Sequence, residues 1–170
     1  MDKRLQYWLY CLKHPCYGLG RAIRKYRAKL LGLEYLGKNV DIRFPLHLGH
    51  PENISIGDNT VICEYVFIMA GKKAKVSIGD NVYIAPNVYI TATAHSFDGE
   101  ELIMEQAGKE GGIYIGNDVL IGTKTVILHG RSIEGRAIIG AGSIVTKNIR
   151  HGTVVAGVPA VTIRSRGETH

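Results

Sequence analysis

From Ile115 to Val145 a branched aliphatic residue returns at every sixth position: Ile115, Ile121, Ile127, Ile133, Ile139 and Val145. The same beat runs through Ile56, Ile62 and Ile68 and again through Ile78, Ile84 and Ile90, with a looser precursor at Leu36, Ile42 and Leu48. A six-residue period fits neither the turn of an α-helix, about 3.6 residues, nor the two-residue alternation of a flat strand. It fits a coil of flat sides, each contributing one inward residue, and such fixed-period hexapeptides are the signature of a parallel β-helix.

The remaining slots agree. The residue after the aliphatic one is often small, as at Gly57, Gly79, Ala85, Gly116, Gly122 and Gly140. The fourth slot carries Asn59, Gly71, Asn81, Asn87, Asp118, Gly130, Gly142 and Asn148, residue types that tolerate the positive φ a tight corner requires. Three six-residue sides make a triangular coil whose aliphatic residues stack along one axis. The predicted fold is an all-β hexapeptide solenoid with a short N-terminal helical arm.

The chain has room for one domain and an appendage. Its formal charge of +6 resides in residues 1–35, where eight Lys/Arg face two acids; the remainder is neutral. Within that arm, Leu5, Trp8, Leu9 and Leu12, then Leu19, Ile23, Tyr26 and Leu30, follow helical spacing, with Pro15 and Gly18 between them. Two readings stand for residues 1–35: a helical cap over the open end of the solenoid, or a basic face resting on an anionic membrane surface. Nucleic acid is not expected, since no recognition motif accompanies the charge. Cys11, Cys16 and Cys63 form no CxxC pair. Together with the lack of a signal-peptide pattern or a membrane-length apolar stretch, they predict a cytoplasmic protein with reduced thiols, working at most beside the inner face of the membrane. The expected organisation is the arm over 1–35, the solenoid over 36–165 and a tail over 166–170.

The beat stops after His95 and resumes near Ile113. Between them, an insert over 96–112 holds five acids against Lys109. A loop of this length thrown out of a compact fold is a functional candidate. A histidine at its exit point, rigidly held on one side and bordered by a loop on the other, suits general-base work.

At this point the chain resembles the hexapeptide-repeat acyltransferases, in particular the galactoside, maltose and xenobiotic acetyltransferases. The residues that carry the resemblance are Ile78-Gly-Asp-Asn-Val-Tyr-Ile-Ala-Pro-Asn-Val88, Thr93-Ala-His95, Ile115-Gly-Asn-Asp-Val-Leu-Ile-Gly122, Ile139-Gly-Ala-Gly-Ser-Ile-Val-Thr-Lys147 and Val155-Ala-Gly-Val-Pro-Ala160. The resemblance implies a left-handed coil, a homotrimer with active sites between subunits, and acetyl-CoA as donor.

Carried over residue by residue, His95 matches the catalytic base that takes the proton of an acceptor hydroxyl or amine. Its second ring nitrogen needs an orienting partner, either a backbone carbonyl or a loop carboxylate such as Asp98. A backbone amide near Gly122 and Thr123 aligns with the family's pantetheine-binding turn and could face the oxyanion. Ala141 and Gly142 fall where small side chains admit the CoA arm; Thr146 and Lys147 match contacts further along it. Arg164 stands where the family often has a basic residue near the CoA phosphates. Tyr65, in the coil where galactoside and maltose enzymes place polar acceptor ligands, and Phe97 and Asp98, directly after the histidine, are the acceptor-side candidates.

The run His95-Ser-Phe-Asp-Gly99 resembles acetyltransferases of surface-polysaccharide and lipopolysaccharide assembly. The function expected is therefore O-acetylation of a small-molecule or glycan acceptor, with N-acetylation of an amino-sugar nucleotide and acetylation of a hydroxylated antibiotic as alternatives. Two further classes fit the sequence less well. A zinc enzyme of the carbonic anhydrase branch needs about three imidazoles plus an open position, and His14, His47, His50, His95, His129, His151 and His170 are not spaced for it; no metal is expected. A non-catalytic scaffold is opposed by the intact His95 and the complete CoA-end motifs.

Overall fold

The structure, a computed structural model, describes residues 29–168. Of the two helices expected through residues 5–12 and 19–30, only the end of the second falls among the described residues, where 29–31 are helical; the rest, and with it the choice between cap and membrane face, lies outside the described residues. The fold is a parallel β-solenoid with three flat sides. Side A stacks Tyr35–Leu36, Ile54–Ile56, Val76–Ile78, Ile113–Ile115 and Ser132–Ile133. Side B stacks Asp41–Ile42, Val61–Ile62, Tyr83–Ile84, Leu120–Ile121, Ile138–Ile139 and Thr153–Ala156. Side C stacks Leu46–Gly49, Val66–Met69, Tyr89–Thr91, Val126–Ile127 and Ile144–Val145. Within each stack neighbouring strands run parallel, and the beat residues sit in register, as in Ile78 with Ile115 and Ile84 with Ile121.

That register converts a sequence period into a core. Ile56, Ile62, Ile84, Ile90, Ile115, Ile121, Ile127 and Ile133 are all fully buried in one cluster along the axis. Burial of one such side chain contributes about 1.5–3 kcal/mol. Three polar residues share the interior, and each hydroxyl has a carbonyl partner: Thr60 donates to Gly79 (2.9 Å), Thr125 to Gly140 (3.2 Å) and Ser143 to Gly140 (2.6 Å). The solenoid ends at Val161–Ser165, which folds back antiparallel on Thr153–Ala156. Among the described residues no helix is long and apolar enough to cross a membrane.

The A–B edge explains why Gly and Asp recur together in the Ile-Gly-Asp-Asn motif. Asp58 accepts the Lys38 N–H (2.7 Å), Asp80 that of Asp58 (2.7 Å) and Asn117 that of Asp80 (2.9 Å), so each coil holds the one before it. A Cβ on Gly79 would lie 2.3 Å from the Asn117 carboxamide oxygen. The glycine therefore clears space for its neighbour's side chain.

Corners on the A–B and B–C edges take a left-handed residue, as expected, at Asn59, Asn81, Asn87, Asp118 and Gly142. Tyr65, Lys124 and Arg136 take it as well. Gly71 and Asn148, expected to behave alike, do not, because the C–A edge is built differently. There the coils carry their insertions, at 50–53, 71–75 and beyond Ala92, and the left-handed residues are His50 and Gly130. Asn148 instead turns its side chain to the Ser132 N–H (3.0 Å).

Candidate active site

The large insertion is a ribbon. Thr93–His95 pairs antiparallel with Gly108–Glu110, setting Thr93 opposite Glu110 and His95 opposite Gly108. The chain thus leaves the coil after buried Ala92 and returns at Gly111, whose N–H donates to the Ala92 carbonyl (2.9 Å). The departure begins at Thr93, three residues before the expected start at 96, because pairing with the returning strand draws His95 out of the coil. The return needs glycine, since a Cβ on Gly111 would lie 2.8 Å from the Gly130 nitrogen in the next coil.

His95 is exposed, and its ring forms no hydrogen bond or ion pair among the described residues. Gly108 across from it has no side chain, which leaves that face of the ribbon open. The root of the ribbon is held by Thr91, whose hydroxyl donates to the Thr93 carbonyl (2.9 Å) and accepts the Thr93 N–H (3.2 Å). Asp98, a candidate to orient His95, pairs with Lys109 instead. The same ammonium lies 5.4 Å from the centre of the Phe97 ring, and Phe97 is 73% exposed. Phe97, Asp98 and Lys109 therefore form one small cluster beside His95.

The other candidates divide between edges. Thr146 and Lys147 lie on the C–A edge, as His95 does, two coils further along, about 10 Å at the spacing of stacked strands. Gly122, Thr123, Ala141 and Gly142 line the B–C edge, across side C, and Tyr65 lies on that edge two coils earlier. Tyr65 is 59% exposed, with its N–H donated to Pro45. Arg164 stands apart from both groups: it pairs with Val154 on side B and donates to the carbonyls of Ser165 (3.0 Å) and Glu168 (2.7 Å).

On the B–C edge the backbone is laid bare. A Cβ on Gly122 would come within 2.5 Å of the Ala141 nitrogen, and one on Gly140 within 2.8 Å of the Ala156 Cβ. The Gly122 N–H is spent on the Ile139 carbonyl (2.8 Å), and the Thr123 hydroxyl on Pro86 (2.6 Å). Among the described residues the Thr123 N–H has no acceptor, which singles it out from the Gly122–Thr123 pair as the amide available to an oxyanion. No group of three or more metal-capable side chains occurs among the described residues; His50 lies against Glu52 (3.1 Å) and His47 against the Phe67 ring.

Two features escaped the sequence reading. Phe67 and Tyr89 stack at 4.7 Å on the outward surface of side C, between the two edges. Glu110, at the foot of the ribbon, accepts three backbone N–H groups from residues 72–74. An acid just before Gly111-Gly112, where the beat resumes, was the only sequence signal for it.

A parallel solenoid that throws out a histidine-bearing ribbon beside small-residue edges belongs to the class of hexapeptide-repeat proteins. Residues 76–92 and 112–147 match the family described as the hexapeptide repeat of succinyl-transferase, and the gap between them is the ribbon. The galactoside O-acetyltransferase of Escherichia coli K12 is 38% identical over 135 residues, 76% of this chain and 53% of that protein. The chain thus spans about half the length of that relative. A galactoside acetyltransferase solved in complex with coenzyme A superposes with a TM-score of 0.76 at 35% identity, covering 95% of this chain and 78% of the other. A hexapeptide-repeat acetyltransferase of Vibrio cholerae, solved with acetyl coenzyme A, gives a TM-score of 0.76 at 29% identity over 89% of this chain and 81% of its own. The chain belongs to the hexapeptide-repeat acetyltransferases of the galactoside and maltose acetyltransferase type.

Proposed function

We propose that the protein is an acetyl-CoA-dependent O-acetyltransferase acting on a hydroxyl of a sugar or glycan precursor, of the kind used in surface-polysaccharide or lipopolysaccharide assembly. The observation that carries the reading is the exposed His95 on a ribbon rooted in rigid coil, in a chain 35% identical to a galactoside acetyltransferase.

In the proposed reaction the neutral imidazole of His95 takes the proton of the acceptor hydroxyl as its oxygen attacks the thioester carbonyl carbon. The C=O electron pair moves onto oxygen, where the Thr123 N–H is the candidate donor. Collapse of the tetrahedral species breaks the C–S bond, and the departing thiolate recovers the proton from the imidazolium. The products are acetyl ester and free CoA, with no covalent enzyme intermediate. The small residues Gly122, Ala141 and Gly142 leave backbone open for the pantetheine arm, and Thr146 and Lys147 contact it further along. Arg164, turned into the C-terminal loop, is the weakest member of this set. Phe97, Asp98 and Tyr65 face the acceptor.

The division of these residues between two edges supports a site completed by a second copy, in which the C–A edge of one subunit meets the B–C edge of the next around a homotrimer. The outward residues of sides B and C include Val61, Tyr83, Leu120 and Ile138 on one and Phe67, Tyr89, Val126 and Ile144 on the other, apolar surface available to such packing; side A presents Ser55, Ser77 and Ser132 together with Tyr35 and Tyr114. Release of free thiol from acetyl-CoA, measured over a panel of sugars, sugar nucleotides and glycolipid precursors, tests the activity. Acceptor-dependent turnover that His95→Ala abolishes is expected; turnover that survives in His95→Ala would remove the base.

A further inference from the structure

Opposite Thr93, on the returning strand of the ribbon, Glu110 reaches out of the ribbon to the neighbouring coil. Its carboxylate accepts the N–H groups of Lys72 (3.1 Å), Lys73 (2.9 Å) and Ala74 (3.0 Å). Three successive amides turned toward one point form an anion-binding nest, here filled by a side chain of the same molecule. The turn that presents them is closed by the Gly71 N–H on the Ala74 carbonyl (2.8 Å) and anchored by Asn53, whose carboxamide donates to Gly71 (2.9 Å) and Lys72 (3.2 Å). Gly71 makes room for the arrangement, since a Cβ there would lie 2.5 Å from a Glu110 carboxylate oxygen. Donation of these amides, that of Lys73 foremost, holds the Glu110 carboxyl below the ordinary glutamate range.

Directly opposed residues of an antiparallel pair share a face, and so do residues two apart along a strand. Glu110 and Thr93 therefore lie on the same face of the ribbon as His95 and Gly108. Thr91 holds the outgoing strand at its root, while Glu110 holds the returning strand against residues 72–74. Both strands of the ribbon are thus hydrogen-bonded at its root.

We propose that Glu110 is a positioning residue, its carboxylate clamped in the amides of residues 72–74 so as to set the direction in which the ribbon presents His95. The proposal rests on the transferase reading for its consequence, though not for its geometry. Misplacement of a reacting group by about 1 Å can cost on the order of a hundred-fold in rate, which sets the scale of the effect.

Two variants of the full chain attack the clamp from opposite sides. Glu110→Gln removes the charge and one acceptor oxygen; Gly71→Ala leaves the charge in place and pushes the carboxylate out of the nest. Amide hydrogen exchange, which needs no ligand, reads the clamp itself. In both variants residues 72–74 and the two strands of the ribbon should exchange roughly ten-fold faster or more, with the amides of Gly122 and Gly140 in the stacked coils unchanged. Thiol release with acetyl-CoA and an aryl β-galactoside as probe acceptor reads the consequence: kcat falls about ten-fold or more while KM for acetyl-CoA stays within about two-fold, because the CoA-side residues lie elsewhere. Unchanged exchange at 72–74 in Glu110→Gln would overturn the clamp. Faster exchange with kcat untouched would overturn the positioning role. A wild-type protein that turns over no acceptor, yet loses protection in both variants, would remove the transferase reading and leave the clamp standing.

Discussion

Asp98 gives its carboxylate to Lys109 and not to His95. The aspartate three residues beyond the proposed base, one of the candidates for orienting it, is thereby turned toward the opposite strand of its own ribbon. If the imidazole is oriented through its second nitrogen, the partner comes from the backbone or from a second copy of the chain.

Asp98→Asn should therefore leave kcat within about ten-fold of wild type, whereas loss of the base in His95→Ala should cost on the order of a hundred- to ten-thousand-fold. Steady-state thiol release on both variants checks this. A defect in Asp98→Asn equal to that in His95→Ala would mean that the ion pair with Lys109 gives way to one with His95 during turnover.

Gly122 and Gly142 occupy one edge but are needed for different reasons. A Cβ on Gly122 meets the Ala141 backbone at 2.5 Å, whereas Gly142 sits at φ 70° with nothing within 4 Å of the same position. Gly122→Ala should destabilise the fold by about 1–3 kcal/mol through overpacking. Gly142→Asn should be nearly neutral, since asparagine tolerates the left-handed region. Thermal unfolding of the two variants separates the reasons.

Arg136 holds a left-handed corner at φ 60° on the A–B edge, where equivalent corners carry Asn59, Asn81 and Asp118. Arg136→Asn should raise stability by roughly 0.5–1 kcal/mol, a fraction of the left-handed penalty of a residue with a long side chain. A rise in the denaturant midpoint with unchanged slope is the expected reading.

The Glu110 carboxylate has its folded-state pKa depressed below the ordinary value of 4.5. A depressed carboxyl stabilises at pH above its unfolded value, and that stabilisation disappears as pH falls through the lower folded value. The difference in melting temperature between wild type and Glu110→Gln should therefore be constant from neutrality down to about pH 5 and close as the medium is acidified below the ordinary glutamate range. A difference that persisted at the lowest pH would assign the effect to shape and not to charge.

Much of this molecule can be read one hexapeptide at a time. Each Ile of the beat meets the same environment as the Ile one coil away, so a single local rule, repeated, places Ile56, Ile84, Ile121 and the rest in the core. His95 was legible because it stands where that rule lapses. Tyr65 and Lys124 were not legible as left-handed corners: neither residue favours that conformation, and it is the stacking of adjacent coils that imposes it. Nor was Glu110. Its partners, Lys72, Lys73 and Ala74, lie 36 to 38 positions away in an insertion that breaks the repeat.

The sequence by itself determined the solenoid, its core and the place of the interruption, because these follow from a period that every coil obeys alone. Tertiary structure alone decided that His95 leaves on a paired ribbon, that Asp98 faces Lys109, that the small-residue turn at Gly122 and Ala141 lies across side C from the ribbon's root, and that Glu110 ties the ribbon down. These depend on which coil stacks beside which and on where two irregular insertions meet. Contacts between non-repeating segments carry no signature in the spacing of either segment.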